Sequence, residues 1–339
     1  MEPQMDFNKA VDMIRDGTRI MLVSHTRPDG DALGSLAGLR EMILADAKDT
    51  GRTCKVETLV LSEPAKIYEF LLPQKFLLMG DNITEQQVVD GRLNDFDLII
   101  LVDTSATRQL PGVGEFLQKK AKNLLVIDHH LAGDIEGHHR LVNTTAAAAA
   151  EIVFELSRQG GLPLNEAAAE AIFTAISTDT GWFRFENTTA STLEITSALV
   201  AAGAEPHSLY HRVFENDPVE KLRLTAETLG TLDLHHNGKL ATLKISQEMF
   251  ARTNTDRSHV ENIVNMPQQI STVQAVVLFV EVESEVTRCS LRSKGAIDVN
   301  EVANQFDGGG HQHAAGATLH CSLEKAQEQM LATFQTVFE

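Results

Sequence analysis

Short, unbroken apolar runs recur along the first half of the chain, and each stops abruptly at a cluster of polar residues. Ile20-Met21-Leu22-Val23 runs into Ser24-His25-Thr26-Arg27-Pro28-Asp29-Gly30-Asp31, Leu98–Val102 into Asp103-Thr104-Ser105, and Leu124-Leu125-Val126-Ile127 into Asp128-His129-His130. Runs of this length without polar alternation belong to strands buried on both faces of a parallel sheet. Residues 54–61 and 75–79 read as further strands. Residues 34–45 carry Leu36, Leu39, Met42, Ile43 and Ala45 on one helical stripe, and residues 146–156 and 165–177 read as two more helices. Alternation of strand and helix predicts an α/β fold with a doubly wound, mostly parallel sheet. The alanine run at 146–150 is a good helix former suited to close packing, and no function is read into it.

Strand alternation fades after residue 190, where the chain turns helical with breaks at Gly203 and Pro206. Strands at 240–245 and 273–282, with a hairpin partner at 286–292, then predict a second, smaller α/β domain. The expected organisation is a domain over 1–190, a helical linker over 191–218 and a second domain over 219–339.

Open α/β sheets place their ligands at the carboxyl ends of the strands. Here three strand ends carry Asp or His, and parallel neighbours would bring them together. Several carboxylates and imidazoles cannot share a small volume at neutral pH without positive charge between them. Divalent cations resolve that conflict, and carboxylate and imidazole donors without a thiolate favour Mn²⁺, Mg²⁺ or Fe²⁺ over a structural Zn²⁺. Any one of these motifs is an ordinary cap or strand end; three in one sheet point to a metal centre. Two cations about 3.5–4 Å apart would clamp a phosphate and activate a water. A fourth motif, Ser177-Thr178-Asp179-Thr180-Gly181, puts an acid at a helix C-terminus, where the helix dipole favours cations. A metal would account for it.

Composition narrows the ligand. With 339 residues, 43% apolar and 22% charged, the chain reads as an ordinary soluble protein of two domains. Cys54, Cys289 and Cys321 offer no C-x-x-C pair, which argues against a disulfide scaffold or zinc ribbon. No signal-peptide pattern or membrane-length apolar run is present, so a cytoplasmic protein without a membrane partner is expected. A formal net charge of −18 and the lack of a basic tract argue against long nucleic acid and favour a short phosphorylated ligand. His138-His139 and His235-His236 read as surface or turn residues. Trp182 and Phe183 read equally as base-stacking or core residues.

The second domain contributes Phe306-Asp307-Gly308-Gly309-Gly310-His311-Gln312-His313-Ala314-Ala315-Gly316, and upstream Arg292-Ser293-Lys294. Three glycines in a row suit close backbone approach or an anion-binding turn, and an Arg fork matches a phosphate. Taken in order, His25-x-x-x-Asp29-x-Asp31, Asp103-Thr104-Ser105, Asp128-His129-His130 and Ser177-Thr178-Asp179-Thr180-Gly181 resemble the four motifs of the DHH phosphoesterases. The glycine run with Arg292-Ser293 resembles the DHH-associated C-terminal domain. Within that superfamily the chain looks most like the nanoRNase/pAp phosphatases, which cut very short oligoribonucleotides to mononucleotides and dephosphorylate phosphoadenosine phosphate.

The resemblance implies two divalent cations, manganese first with magnesium or iron(II) as alternatives. His25, Asp29 and Asp103 would hold one, and Asp31, Asp103, His129 and Asp179 the other. Asp128 would orient a ligand histidine, and His130 would face the phosphate. Arg292, Ser293, Gly309, Gly310 and His311 would grip the nucleotide from the second domain, across an active-site cleft. Asp307 departs from the family pattern, where another glycine is frequent. The implied partners are short RNA or phosphoadenosine phosphate; a homodimer is compatible with the assignment. An inorganic pyrophosphatase or exopolyphosphatase of the same superfamily, and a non-catalytic nucleotide sensor, are the competing readings.

Overall fold

A computed structural model of the chain describes residues 5–119 and 123–338, which divide into two compact units, one up to Asn216 and one from Asp217. In the first unit six parallel strands form one sheet: β1 (Arg19–Val23), β2 (Lys55–Val60), β3 (Leu77–Leu78), β4 (Leu98–Val102), β5 (Leu124–Asp128) and β6 (His139–Val142). Their order is β3-β2-β1-β4-β5-β6, so β1 and β4, far apart in sequence, lie side by side. The strand expected at 75–79 is reduced to two paired residues. His139, read as a surface or turn residue, is half-buried at the start of the edge strand β6, where its Nε2 hydrogen-bonds the Asp6 carbonyl at 2.8 Å.

Both faces of this sheet are covered, which is why its strands are apolar throughout. Ile20, Leu22, Ile100, Val102, Leu125 and Ile127 face a core built with α1 (Phe7–Asp16), α2 (Gly30–Asp49), α5 (Ala149–Arg158), α6 (Glu166–Asp179) and α7 (Ala190–Ala201). Met21, Val23, Ile99, Leu101 and Val126 face the opposite core, with α3 (Glu85–Val89) and α4 (Gly114–Lys119). The segment expected to link the domains holds α7 and α8 (Pro206–Phe214), and these add Ile195, Leu199 and Leu209 to the first core.

Helices α2 and α6 approach closely because α2 presents Gly30, Gly34 and Gly38 on one face, four residues apart. A Cβ on Gly34 would lie 2.6 Å from the Ala171 carbonyl oxygen, and one on Gly30 would lie 2.3 Å from Thr178 Oγ1. This contact draws the start of α2 toward the end of α6, and with them Asp31 and Asp179.

The second unit carries its own six-stranded sheet, ordered β11-β12-β10-β9-β8-β7. It comprises β7 (Asp233–His235), β8 (Leu240–Ile245), β9 (Ala275–Glu283), β10 (Val286–Ser293), β11 (Gly309–His311) and β12 (Ala314–Leu319), with α9 (Val219–Leu229), α10 (Gln247–Thr253), α11 (Val299–Asn304) and α12 (Leu323–Phe338). The glycine run, read as suited to close backbone approach or an anion-binding turn, continues into an edge strand: Gly309, Gly310 and His311 pair with Gly316, Ala315 and Ala314. Asp307 adopts φ +55°, a left-handed conformation that glycine prefers and Asp tolerates better than most residues, and its side chain is exposed.

Candidate metal centre

The carboxyl ends of β1, β4 and β5 deliver His25, Asp103 and Asp128-His129-His130 to one edge of the first sheet. The start of α2 adds Asp29 and Asp31, and the end of α6 adds Asp179. Three groups there bring ligand atoms within 4.8 Å of one another: His25, Asp29 and Asp103; Asp31, His129 and Asp179; and Asp103, His129 and His130. Asp103 stands between the first two sets. Its Oδ2 lies 3.2 Å from His25 Nε2, and its Oδ1 lies 3.4 Å from His129 Nε2. His129 Nε2 is also 3.7 Å from Asp31 and 3.8 Å from Asp179.

Backbone geometry holds Asp103 in place. It directly follows β4, adopts φ +62° and is almost completely buried. Left-handed backbone at a buried non-glycine residue costs energy and recurs at functional sites. Asp31 is also fully buried; it accepts hydrogen bonds from Ala149 N at 2.6 Å, Ala150 N at 3.1 Å and Ser35 Oγ at 3.0 Å. The alanine run therefore has a role that propensity does not reveal. Ala146, Ala147 and Ala148 are a buried turn, and α5 begins at Ala149 so that its free N–H groups cap Asp31.

Charge crowding moves the titrations strongly. Burial opposes the His25 imidazolium, but the hydrogen bond to Asp103 and the charges of Asp103 and Asp29 outweigh it and push His25 up to about 9. His129, likewise against burial, is pushed up to about 10 by Asp103, Asp31 and Asp179. Burial and the neighbouring carboxylates lift Asp31 well above the usual range. Burial, aided by the Asp103 charge and opposed by His129, lifts Asp179 to about 7. Burial alone would raise Asp103 too, yet the two imidazoles hold it at about 2.

Three observations fit this donor set to cations. Asp103 Oδ1 is buried without a hydrogen bond. Both histidines tie Nδ1 to a backbone carbonyl, His25 to Thr26 at 2.9 Å and His129 to Ala146 at 3.2 Å, leaving Nε2 turned toward the carboxylates. Metal-bound imidazoles are oriented in this way. Hard oxygen and imidazole donors also suit a divalent ion.

The polar residues around the cluster do not all lie where the sequence suggested. Asp128, expected to orient a ligand histidine, bonds His130 instead: Oδ1 accepts from His130 Nδ1 at 2.8 Å and from its backbone N at 3.1 Å. That bond, ahead of the opposing burial, raises His130 above its ordinary value. Trp182 and Phe183 pack against Phe173, with Trp182 also against Tyr210 and Phe214, so they belong to an aromatic cluster on the first core.

In the second unit the strand register places Arg292, Ala314 and His311 opposite one another across β10, β12 and β11. Gly310 with Ala315 and then Gly309 with Gly316 make the next two rows, so an Arg fork and an exposed imidazole flank a floor of small residues. Gly308 belongs to the same close packing, since a Cβ there would lie 2.3 Å from the Gly316 carbonyl oxygen. Ser293 points elsewhere: it is buried and its hydroxyl lies 2.7 Å from the Ile297 carbonyl and 3.1 Å from His313 Nδ1. Lys294 caps the carbonyls of Gln268 and Ile270, both at 2.9 Å. His313, which has no ligand spacing in the sequence, is thus brought to Ser293 by the β11–β12 turn.

Comparison with known proteins adds the following. Residues 19–176 match the DHH family, N-terminal domain, and residues 237–339 match the DHHA1 domain. The chain is 31% identical over 90% of its length, and 91% of the relative's, to the probable bifunctional oligoribonuclease and PAP phosphatase NrnA of Streptococcus mutans. It is 29% identical, over 94% of both chains, to the bifunctional oligoribonuclease and PAP phosphatase NrnA of Bacillus subtilis. Among solved structures, an exopolyphosphatase-related protein from Bacteroides fragilis shares the fold with a TM-score of 0.88 at 24% identity, covering 98% of this chain and 97% of that one.

Proposed function

Because the chain belongs to the DHH family, alongside the bifunctional oligoribonucleases and PAP phosphatases, we propose that it is a metal-dependent phosphoesterase. It hydrolyses very short oligoribonucleotides, about two to five nucleotides, to mononucleotides and converts 3′-phosphoadenosine 5′-phosphate to AMP and phosphate. The observation that carries this reading is the meeting of Asp103 with two separate sets of carboxylate and imidazole donors at the strand ends.

In this reading His25, Asp29 and Asp103 hold one divalent cation and Asp31, Asp103, His129 and Asp179 hold a second, manganese being the first choice and magnesium or iron(II) the alternatives. When bound, the pair supplies charge for a phosphoryl group and a water of lowered pKa. Asp103 divides its oxygens between the two sets. His130, with Nδ1 committed to Asp128, offers Nε2 to the phosphate as a proton donor to the leaving oxygen. Arg292 and His311 hold a substrate phosphate, with Gly309 and Gly310 beneath it. Ser293 supports that site through its bonds to Ile297 and His313. Three free cysteines suit a reducing cytoplasm. No helix among the described residues is long and apolar enough to cross a membrane.

The test is steady-state hydrolysis of di- to pentaribonucleotides, 3′-phosphoadenosine 5′-phosphate, pyrophosphate and a strand of about 20 nucleotides, each with Mn²⁺ and with Mg²⁺ at one salt concentration. The short RNAs and the bisphosphate nucleotide should turn over much faster than the other two. Preference for pyrophosphate would overturn the nucleotide assignment, and equal rates on the long strand would overturn the length limit.

A further inference from the structure

We propose that Ser105 is a positioning residue that fixes His130 for catalysis through Asp128. The inference rests on the reading of His130 as the group that faces the phosphate. Ser105 Oγ donates to Asp128 Oδ2 at 2.6 Å, and both residues are buried, at 1% and 0% exposure. The other oxygen, Oδ1, takes both the backbone N–H and the Nδ1–H of His130. The carboxyl torsion of Asp is broad and soft, so a carboxylate held at one oxygen can swing. Held at both, Asp128 has one plane, and His130 then has one tautomer and one ring direction, with Nε2 left free. The short O–H···O⁻ bond in a dry site is the stronger kind.

The chain beyond His130 seals this relay. Leu131 stands fully out in solvent, and the backbone then folds back so that Asp134 N and Ile135 N both donate to the Ser105 carbonyl, at 2.8 and 2.9 Å. Gly133 passes directly over the hydroxyl, and a Cβ there would lie 1.9 Å from Ser105 Oγ and 2.8 Å from its carbonyl oxygen. Only glycine fits that crossing. The loop that carries His130 is therefore anchored on the same serine that holds Asp128, whereas the neighbouring Thr104 hydroxyl is spent on Gln109. The Ser105 hydroxyl is committed to Asp128, which is not among the residues assigned to hold the cations, so its effect should appear in turnover and leave metal loading alone.

The experiment is a double-mutant cycle on the manganese-loaded full chain with a dinucleotide substrate, using Ser105→Ala, His130→Ala and the double variant, with bound metal measured by elemental analysis. Ser105→Ala should lower kcat about tenfold or more while KM and metal content stay close to the parent, and it should lower kcat no further when His130 is already Ala. Asp128→Asn, which keeps the shape of the side chain but removes the charge that both Ser105 and His130 bond, should reproduce the loss and the same non-additivity, and it carries the test if Ser105→Ala does not fold. Parental kcat in Ser105→Ala, or losses that multiply with that of His130→Ala, would overturn the relay while leaving the role of His130 intact. Parental turnover in His130→Ala would overturn that role and the relay with it.

Discussion

Loading the metal-free protein with Mn²⁺ at pH 7 should expel protons, most of them from the two ligand imidazoles. His25 and His129, at about 9 and about 10, both hold a proton at that pH, and Asp179, at about 7, is half protonated. Metal binding requires neutral imidazoles and ionised carboxylates. The two imidazolium protons should therefore leave, with a further contribution from the Asp179 carboxyl. At pH 9 Asp179 is ionised and His25 has reached the range where it loses its proton, so release should be smaller than at pH 7. Isothermal titration of Mn²⁺ in buffers of different ionisation enthalpy reads the release directly. Release of less than one proton at pH 7, or no decline by pH 9, would refute the charge arrangement described for the cluster.

The same shifts set the pH dependence of stability before metal is added. His25, His129 and Asp179 bind protons more tightly folded than unfolded. Their contribution is complete below each group's ordinary value and is lost as pH rises through about 7 for Asp179 and about 9 to 10 for the histidines. Asp103, held at about 2, works in the opposite sense and loses its contribution only as pH falls toward that value. The melting temperature of the metal-free chain should fall from pH 7 to pH 10, and bound metal should abolish most of that fall.

Asp103→Asn keeps a side chain that tolerates φ +62° but removes the charge shared by both donor sets; turnover should drop about a thousandfold or more with the circular dichroism spectrum unchanged. Arg292→Ala should lower kcat/KM for dinucleotides about tenfold or more, while metal content and hydrolysis of bis-p-nitrophenyl phosphate stay close to the parent; equal losses on both substrates would count against a nucleotide grip in the second unit. Gly34→Ala puts a methyl 2.6 Å from the Ala171 carbonyl oxygen, a backbone atom that cannot yield cheaply, and should cost about 1–3 kcal/mol in urea unfolding.

Much of this protein is written locally. The apolar runs ending in His25, Asp103 and Asp128-His129-His130 are properties of a few consecutive residues, and their shortness and β-branched content mark them as strands buried on both faces. Their order along the chain and the mixed carboxylate and imidazole chemistry already pointed to a metal centre and to the DHH phosphoesterases. Strand alternation likewise announced the parallel sheet before β1 and β4 were seen to be neighbours.

What the tertiary structure decided are the partners, because partners depend on register and close approach between distant segments. Nothing in the sequence near Asp31 says that α5 will cap it with Ala149 and Ala150, more than a hundred residues on. Asp128 bonds His130, and it is the Ala146 carbonyl, seventeen residues on from His129, that holds His129. Gly308 passes the Gly316 carbonyl at a distance that admits no side chain, and the pairing of the next three residues with β12 set His311 in a row with Arg292. A motif fixes which groups are available within a few residues; hydrogen-bond geometry, at a few tenths of an ångström, is set only when the distant strands and helices have packed.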